Sequence, residues 1–185
     1  MTDLRRWWGP LLTVLAVIAT AEDYGIFIRQ TQLIRRGDAT VLNADVDYHF
    51  NPAAIAALNQ GIPLTLNVEL TVLRERPYWL DQTVLREKRR IQLRHHPLSK
   101  SFQIADLDSG AVQGFASLAT VMDTLSRIRG WPIRGADRLE PDQAYRARLR
   151  LTLDIESLPL PLRAEAYASP YWRLATPPLE WRLEP

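Results

Sequence analysis

Several polar side chains in this sequence are of the types that bind metal ions. Asp45, Asp47 and His49 alternate along one predicted strand, and carboxylates with an imidazole form a common ligand set for zinc. Residues two apart on a strand lie about 6.5 to 7 Å apart, so two of them can share an ion but three in line hardly can. No convincing further ligand appears on another strand. A solvated sheet face is the favoured interpretation, and no metal or cofactor is predicted.

A second group matches the catalytic loop of retropepsin-like aspartic proteases, namely Asp108-Ser109-Gly110-Ala111. In those enzymes two close aspartates share one proton, because two adjacent carboxylates cannot both ionise. This chain holds one copy and would have to dimerise, and the supporting apolar pair and glycine do not follow it. Asp-Ser-Gly is equally a hairpin turn. The protease hypothesis is therefore the weakest, and the chain is predicted to be non-enzymatic.

The adjacent His95 and His96 point to opposite faces of a strand, although Pro97 can end the strand there. One interpretation is a histidine that titrates near neutral pH as a switch. The favoured one is a structural histidine that bonds to nearby backbone. His96 is retained as a candidate binding residue.

The most suggestive feature is a set of alternating cations on two predicted strands. They are Arg86, Lys88, Arg90 and Arg94 on one strand, and Arg146, Arg148 and Arg150 on the other. If these strands lie together, the cations form a patch suited to anionic head groups, glycans or an acidic protein surface. The alternatives are a solvated face paired with acids such as Glu69, or protection of a sheet edge. Exposed ion pairs contribute about 0 to 1 kcal/mol each, so stability alone hardly requires the cluster.

The strands around these cations include a long hairpin over residues 63–96. Arg74, Arg76, Tyr78 and Trp79 lie at its tip and are of types enriched in interface hot spots. A tip packed back onto the domain is the equal alternative. Trp131 and Trp172 are assigned to the core.

Alternation of apolar and polar residues predicts most of the remaining elements. Helices are expected after the capping residues Asn51 and Ser117. Residues 131–139 are expected to be irregular and 158–162 extended. Strands are expected over residues 26–35, 40–50, 64–72, 84–94, 100–107, 111–115 and 144–155, with short edge strands over 163–168 and 171–175.

These elements predict an antiparallel β-sandwich of about seven to nine strands with two short helices. An open α+β sheet with both helices on one face is the alternative. The mature chain over residues 22–185 is expected to form a single domain, because 185 residues suffice for one core.

The first 21 residues resemble a secretory signal peptide. Arg5 and Arg6 precede a short apolar run that ends in Ala19-Thr20-Ala21, an A-x-A cleavage pattern. The absence of cysteine agrees with export. The predicted location is the periplasm, with an inner-membrane anchor facing the periplasm as the alternative if the segment is not cleaved. The formal charge of +2 argues against general nucleic-acid binding.

Several motifs in a fixed order resemble one family of exported proteobacterial proteins, the domain-of-unknown-function family four-three-nine-zero. The motifs are Arg74-x-Arg76-x-Tyr78-Trp79-Leu80-Asp81, Leu93-x-x-His96-x-Leu98-x-x-x-Phe102, Ile128-Arg129-Gly130-Trp131, Arg148-x-Arg150-Leu151-x-Leu153-Asp154 and Leu158-Pro159-x-Pro161. The resemblance covers roughly residues 24–172. It implies an exported single-domain protein without assigned catalytic residues, often encoded beside a membrane sensor kinase.

The leading hypothesis is an exported interaction domain, accessory to an envelope sensor kinase or to envelope assembly, whose partner is another envelope protein. The alternative is a periplasmic ligand-binding module for anionic lipid or glycan. Such a module should bury an apolar slot beside the arginines.

Overall fold

The computed structural model of the chain describes residues 24–37, 39–140 and 142–183. Its strands are β1 (Gly25–Arg36), β2 (Ala39–His49), β3 (Leu64–Arg74), β4 (Gln82–His96), β5 (Ser101–Asp106), β6 (Val112–Phe115), β7 (Arg127–Pro132), β8 (Tyr145–Leu153) and β9 (Leu179–Leu183). Its helices are α1 (Pro52–Asn59), α2 (Leu118–Leu125) and α3 (Leu160–Ala168). The predicted signal peptide lies outside the described residues.

The strands of the described residues form two antiparallel sheets. The smaller sheet has the order β1-β2-β7, and the larger has the order β6-β5-β4-β3-β8-β9. The prediction of a β-rich antiparallel fold with seven to nine strands is confirmed. Strand β3 lies in the middle of the larger sheet, between β4 and β8, and this position governs which side chains meet on its faces.

The apolar faces of both sheets contribute to one buried cluster. Leu66 and Leu70 of β3, Val46 of β2 and Val121 of α2 are all 0 to 1% exposed. Fully burying such a side chain stabilises a fold by about 1.5–3 kcal/mol. Trp172 also lies in this cluster, as predicted. One face of the larger sheet is therefore committed to the core.

Asn51 and Ser117 start the first two helices, as the sequence predicts. The Oδ1 atom of Asn51 accepts a hydrogen bond from the amide of Ala54 at 2.7 Å, and Ser117 caps α2 in the same way. Gly61, with a φ of +86°, ends the turn after α1, a conformation that favours glycine. These local signals set where each helix begins and ends.

The prediction of an extended segment and an edge strand after residue 158 was wrong, because residues 160–168 form α3. Pro161 lies in the first turn of α3, where a helix needs no backbone N–H donor from it. The prolines thus begin a helix instead of preventing one. The predicted edge strand at 171–175 is replaced by a short 3₁₀ turn (Pro170–Trp172) and one bridge from Ala175 to Thr152.

Strand β7 (Arg127–Pro132) was not predicted, and its last two residues fall in the segment 131–139 that was expected to be irregular. Helix α2 ends at Leu125, and the chain then pairs with β2. Gly130, with a φ of +61°, lies where the register between β2 and β7 shifts. This bulge disrupts the alternation that normally identifies a strand.

Candidate functional site

The outer face of the larger sheet collects the predicted cations. Thr71 of β3 pairs with Arg86 of β4 and with Arg148 of β8, and Glu69 pairs with Lys88 and with Arg150. The two arginine-rich strands are therefore not direct neighbours, since β3 separates them. Residues directly opposite each other across strands point to the same side. Both rows of cations consequently lie on one face.

Carboxylates compensate part of this charge. The ion pairs are Arg86–Glu69 at 3.2 Å, Lys88–Glu69 at 3.6 Å, Arg90–Asp108 at 3.0 Å, Arg146–Glu75 at 2.8 Å and Arg148–Glu180 at 2.7 Å. Arg94 and Arg150 make no ion pair with any described residue, and Arg94 donates to Gln92 instead at 3.1 Å. The face therefore stays cationic around these two arginines.

The two histidines make different contacts at the far end of β4. His95 stacks on Phe102 with 4.5 Å between ring centroids, and its Nδ1 atom lies 3.1 Å from the carbonyl oxygen of Asn59. This matches the structural interpretation. The Nε2 atom of His96 lies 3.0 Å from Oε1 of Gln103. His96 thus lies at the end of the cationic face, far along β4 from the hairpin tip.

The tip of the β3–β4 hairpin is exposed instead of packed against the domain. Tyr78, Trp79 and Leu80 are 102%, 80% and 91% exposed. Together they form an apolar protrusion, and we call residues 77–80 the apolar tip. Exposed single apolar residues are common, but a run of three large ones at one protruding point is not needed for stability.

The turn at the apolar tip has a strained residue at its centre. Pro77 occupies the second position of the turn, Tyr78 the third with a φ of +70°, and the amide of Trp79 donates to the carbonyl of Arg76 at 3.4 Å. These features are those of a type II turn, whose third position favours glycine. Holding a tyrosine there costs about 1–2 kcal/mol. Such strain is concentrated at functional sites in proteins.

The base of the hairpin is held firmly, unlike the apolar tip. Arg74 contacts Glu140 at 3.3 Å and lies over the ring of Tyr145, with 5.8 Å from its Cζ atom to the ring centroid. The amide of Glu75 donates to the carbonyl of Ala144 at 3.0 Å. Arg76 bonds to Gln82 across the turn. Arg74 and Arg76 are therefore positioning residues for the tip.

The strand face that carries Asp45, Asp47 and His49 holds two ion pairs. Asp45 contacts Arg129 and Asp47 contacts Arg29, while the ring of His49 lies edge-on to Phe27 with 5.4 Å between centroids. Among the described residues, no group of three or more acidic or histidine side chains converges on a point that could hold a metal ion.

The loop at 108–111 forms the hairpin turn between β5 and β6. The amide of Gly110 donates to the carbonyl of Asp106, and the amide of Asp106 donates to the carbonyl of Ala111, both at 2.8 Å. One oxygen of Asp108 accepts from the backbone amide of Arg90 at 2.6 Å and the other from its guanidinium at 3.0 Å. Both oxygens are thus engaged by Arg90.

The inner face of the larger sheet holds an ion pair that was not predicted from the sequence. Arg89 donates from Nε to Asp106 at 2.7 Å, beside a cleft of about 190 Å³ floored by Ile91, Ile104 and Ile128. Burial opposes ionisation of Asp106, but the amides of Ser109 and Asp108 and the Arg89 guanidinium hold its pKa below the ordinary value. The sequence signal that could have revealed this pair is Arg89, which alternates with the apolar Ile91 and Leu93 on β4. A charged side chain on a buried face requires a partner of opposite charge.

Fold and surface together define a two-sheet, antiparallel α+β domain with a cationic outer face and an apolar hairpin tip. The chain belongs to the family described as Domain of unknown function (DUF4390), whose profile matches residues 24–182. The resemblance noted from the sequence motifs is thereby confirmed. Comparisons with curated proteins and with solved structures give no significant match. Across the part of the chain that the structure describes, every helix is too short or too polar to cross a bilayer.

Proposed function

We propose that this chain is an exported, non-enzymatic interaction domain that binds another protein of the cell envelope through the apolar tip. The observation that carries the proposal is the near-complete exposure of Tyr78, Trp79 and Leu80 on a hairpin whose base contacts Glu140 and Ala144. Tryptophan and tyrosine contribute most to affinity when a partner buries them. A rigid base reduces the entropy that binding must overcome.

The cationic face supports a partner with an acidic surface. It begins at the hairpin end of the larger sheet, where Arg86 lies six residues after Leu80 on β4 and Arg146 of β8 pairs with Leu73 of β3. Unpaired surface charges of one sign accelerate encounter with an oppositely charged partner and contribute less to final affinity. The apolar tip therefore supplies most of the affinity for the partner, and the cationic face increases the association rate. A role beside a membrane sensor kinase or in envelope assembly fits this arrangement.

The proposal is tested by photo-crosslinking in intact cells, with the reactive residue placed at position 80. Leu98 is the matched control, because it is 103% exposed, has the same side chain and lies at the opposite end of β4. We expect one discrete protein adduct from position 80 and none from position 98. The same adducts from both positions, or adducts with lipid alone, would contradict a protein partner at the tip.

Once the adduct identifies a partner, its affinity for purified variants completes the test. We expect Trp79→Ala to weaken binding by about 30-fold or more, the usual effect of truncating a hot-spot residue. Leu98→Ala should leave the affinity unchanged. Raising the salt concentration should slow association of the wild-type protein more than it speeds dissociation. An unaltered affinity in Trp79→Ala would remove the tip from the binding site.

A further inference from the structure

A depression of about 240 Å³ lies on the cationic face, and residues 77–80 of the apolar tip do not line it. Strands β3, β4 and β8 form its floor, and the chain before β9 forms one wall. Its lining includes Glu69, Thr71, Arg86, Arg148, Arg150 and Pro178. Three arginines on regular strands therefore surround one shallow hollow.

Strand pairing explains why the arginines converge. Arg86 and Arg148 lie on either side of Thr71, and Arg150 lies beside Glu69, the next outward residue of β3. Neighbouring strands are about 4.7–4.9 Å apart, so Arg86 and Arg148 start roughly 9.5 Å from each other. Guanidinium groups that extend from these positions can approach one tetrahedral anion from two sides.

These arginines keep donors available. Arg86 contacts Glu69, and Arg148 contacts Glu180, each through its Nε atom at 3.2 Å and 2.7 Å. Arg150 makes no ion pair within the described ranges of the chain, although Glu69 lies beside it. Glu69 is itself shared with Lys88 at 3.6 Å, which reduces its repulsion of an anion. The contacts of Arg86 and Arg148 are both closest at Nε, so within the described part of the chain the terminal amino groups can donate in pairs, as guanidinium groups do to phosphate.

We infer that this depression binds a phosphate monoester group. Arg86, Arg148, Arg150 and Lys88, counted with their partners Glu69 and Glu180, leave a charge of about +2 around the hollow. This charge matches the −1.5 to −2 of a phosphate monoester at pH 7 better than the single charge of a carboxylate. Thr71, between Arg86 and Arg148, also lines the depression. The ligand is a phosphate on a lipid head group or on a soluble molecule, and it binds independently of the protein partner of the tip.

The test is a titration of the purified full-length protein, with chemical shifts of the arginine side chains as the readout. Inorganic phosphate is the soluble probe, and vesicles of phosphatidylcholine with or without phosphatidic acid are the lipid probe. We expect saturable binding that Arg150→Ser weakens at least tenfold. Arg94→Ser is the matched control, because Arg94 lies on the same face without an ion pair but outside the depression. The affinity of Arg94→Ser for phosphate should equal that of the wild type.

Each outcome decides the inference. If the protein binds inorganic phosphate, the ligand is a soluble molecule. If it binds only vesicles that contain phosphatidic acid, the ligand is a lipid head group. Equal weakening by both arginine variants would show diffuse attraction to the face and overturn the inference, as would binding of neither probe. Trp79→Ala should leave phosphate binding intact, and Arg150→Ser should leave the crosslink at position 80 intact. Failure at one site is therefore distinguishable from failure at the other.

Discussion

Two tryptophans in this domain offer a matched test of which surfaces the fold needs. Trp79 is 80% exposed, whereas Trp172 is 1% exposed in the core cluster. Replacing a buried tryptophan by alanine costs about 3–5 kcal/mol, while surface changes away from special features stay within about 0.5 kcal/mol. We therefore expect Trp172→Ala to lower the free energy of unfolding by about 3–5 kcal/mol and Trp79→Ala to leave it nearly unchanged.

For a domain of this size, 1 kcal/mol corresponds to roughly 2–4 °C in Tm. The buried variant should therefore melt about 6–20 °C lower than the wild type, and the tip variant within about 2 °C of it. Urea unfolding followed by far-ultraviolet circular dichroism is the suitable assay, because removing a tryptophan changes the fluorescence signal itself. A loss above about 1 kcal/mol in Trp79→Ala would refute the exposed tip and, with it, the proposed partner site.

Two further predictions concern the strained turn and the inner ion pair. Tyr78→Asn should be neutral or stabilising in urea unfolding, because asparagine tolerates a positive φ better than tyrosine, whereas a marked loss would show that the ring packs against the domain. The pKa of Asp106 is lowered in the fold, so its ionised form stabilises the protein above the unfolded pKa of about 3.9. That contribution disappears as the pH falls through the lowered folded value. Asp106→Asn should therefore be less stable than the wild type at pH 7, with a deficit that shrinks below about pH 4, whereas a deficit independent of pH would contradict this assignment.

The sequence was sufficient for elements whose signals are local. The alternation along β3 identifies both its strand character and its buried face, because Leu66 and Leu70 are fully buried while Glu69 points outward. Caps at Asn51 and Ser117 also follow from local hydrogen bonding. Such features depend on a few neighbouring residues and need no knowledge of the rest of the fold.

Other elements depend on distant partners, and the sequence did not reveal them. Strand β7 is stabilised by pairing with β2, including the hydrogen bond from the amide of Gly130 to Oδ1 of Asn43 at 2.8 Å. Ala166 of α3 is fully buried in the core, so packing helps stabilise a segment whose prolines suggested an extended chain. In both cases tertiary contacts override a weak or ambiguous local pattern.

The candidate sites also depend partly on local sequence and partly on the arrangement of distant strands. The cations, the tryptophan of the tip and their strands were visible in the sequence, but the position of β3 between β4 and β8 was not. That position alone brings Arg86 and Arg148 to either side of Thr71. A direct pairing of β4 with β8 would have placed the two rows in contact, with no hollow between them.

The two faces of the larger sheet differ in how far the fold depends on them. Its inner face holds the core, so substitution of Leu70 or Leu149 acts on stability first. The apolar tip and the arginines of the depression bury little, and their removal leaves the core intact. Tyr78 has a strained backbone, and Arg150 has no ion pair among the described residues. Under the proposed functions, contacts made outside the chain account for both features. Binding and stability should therefore be separable by mutation throughout this face.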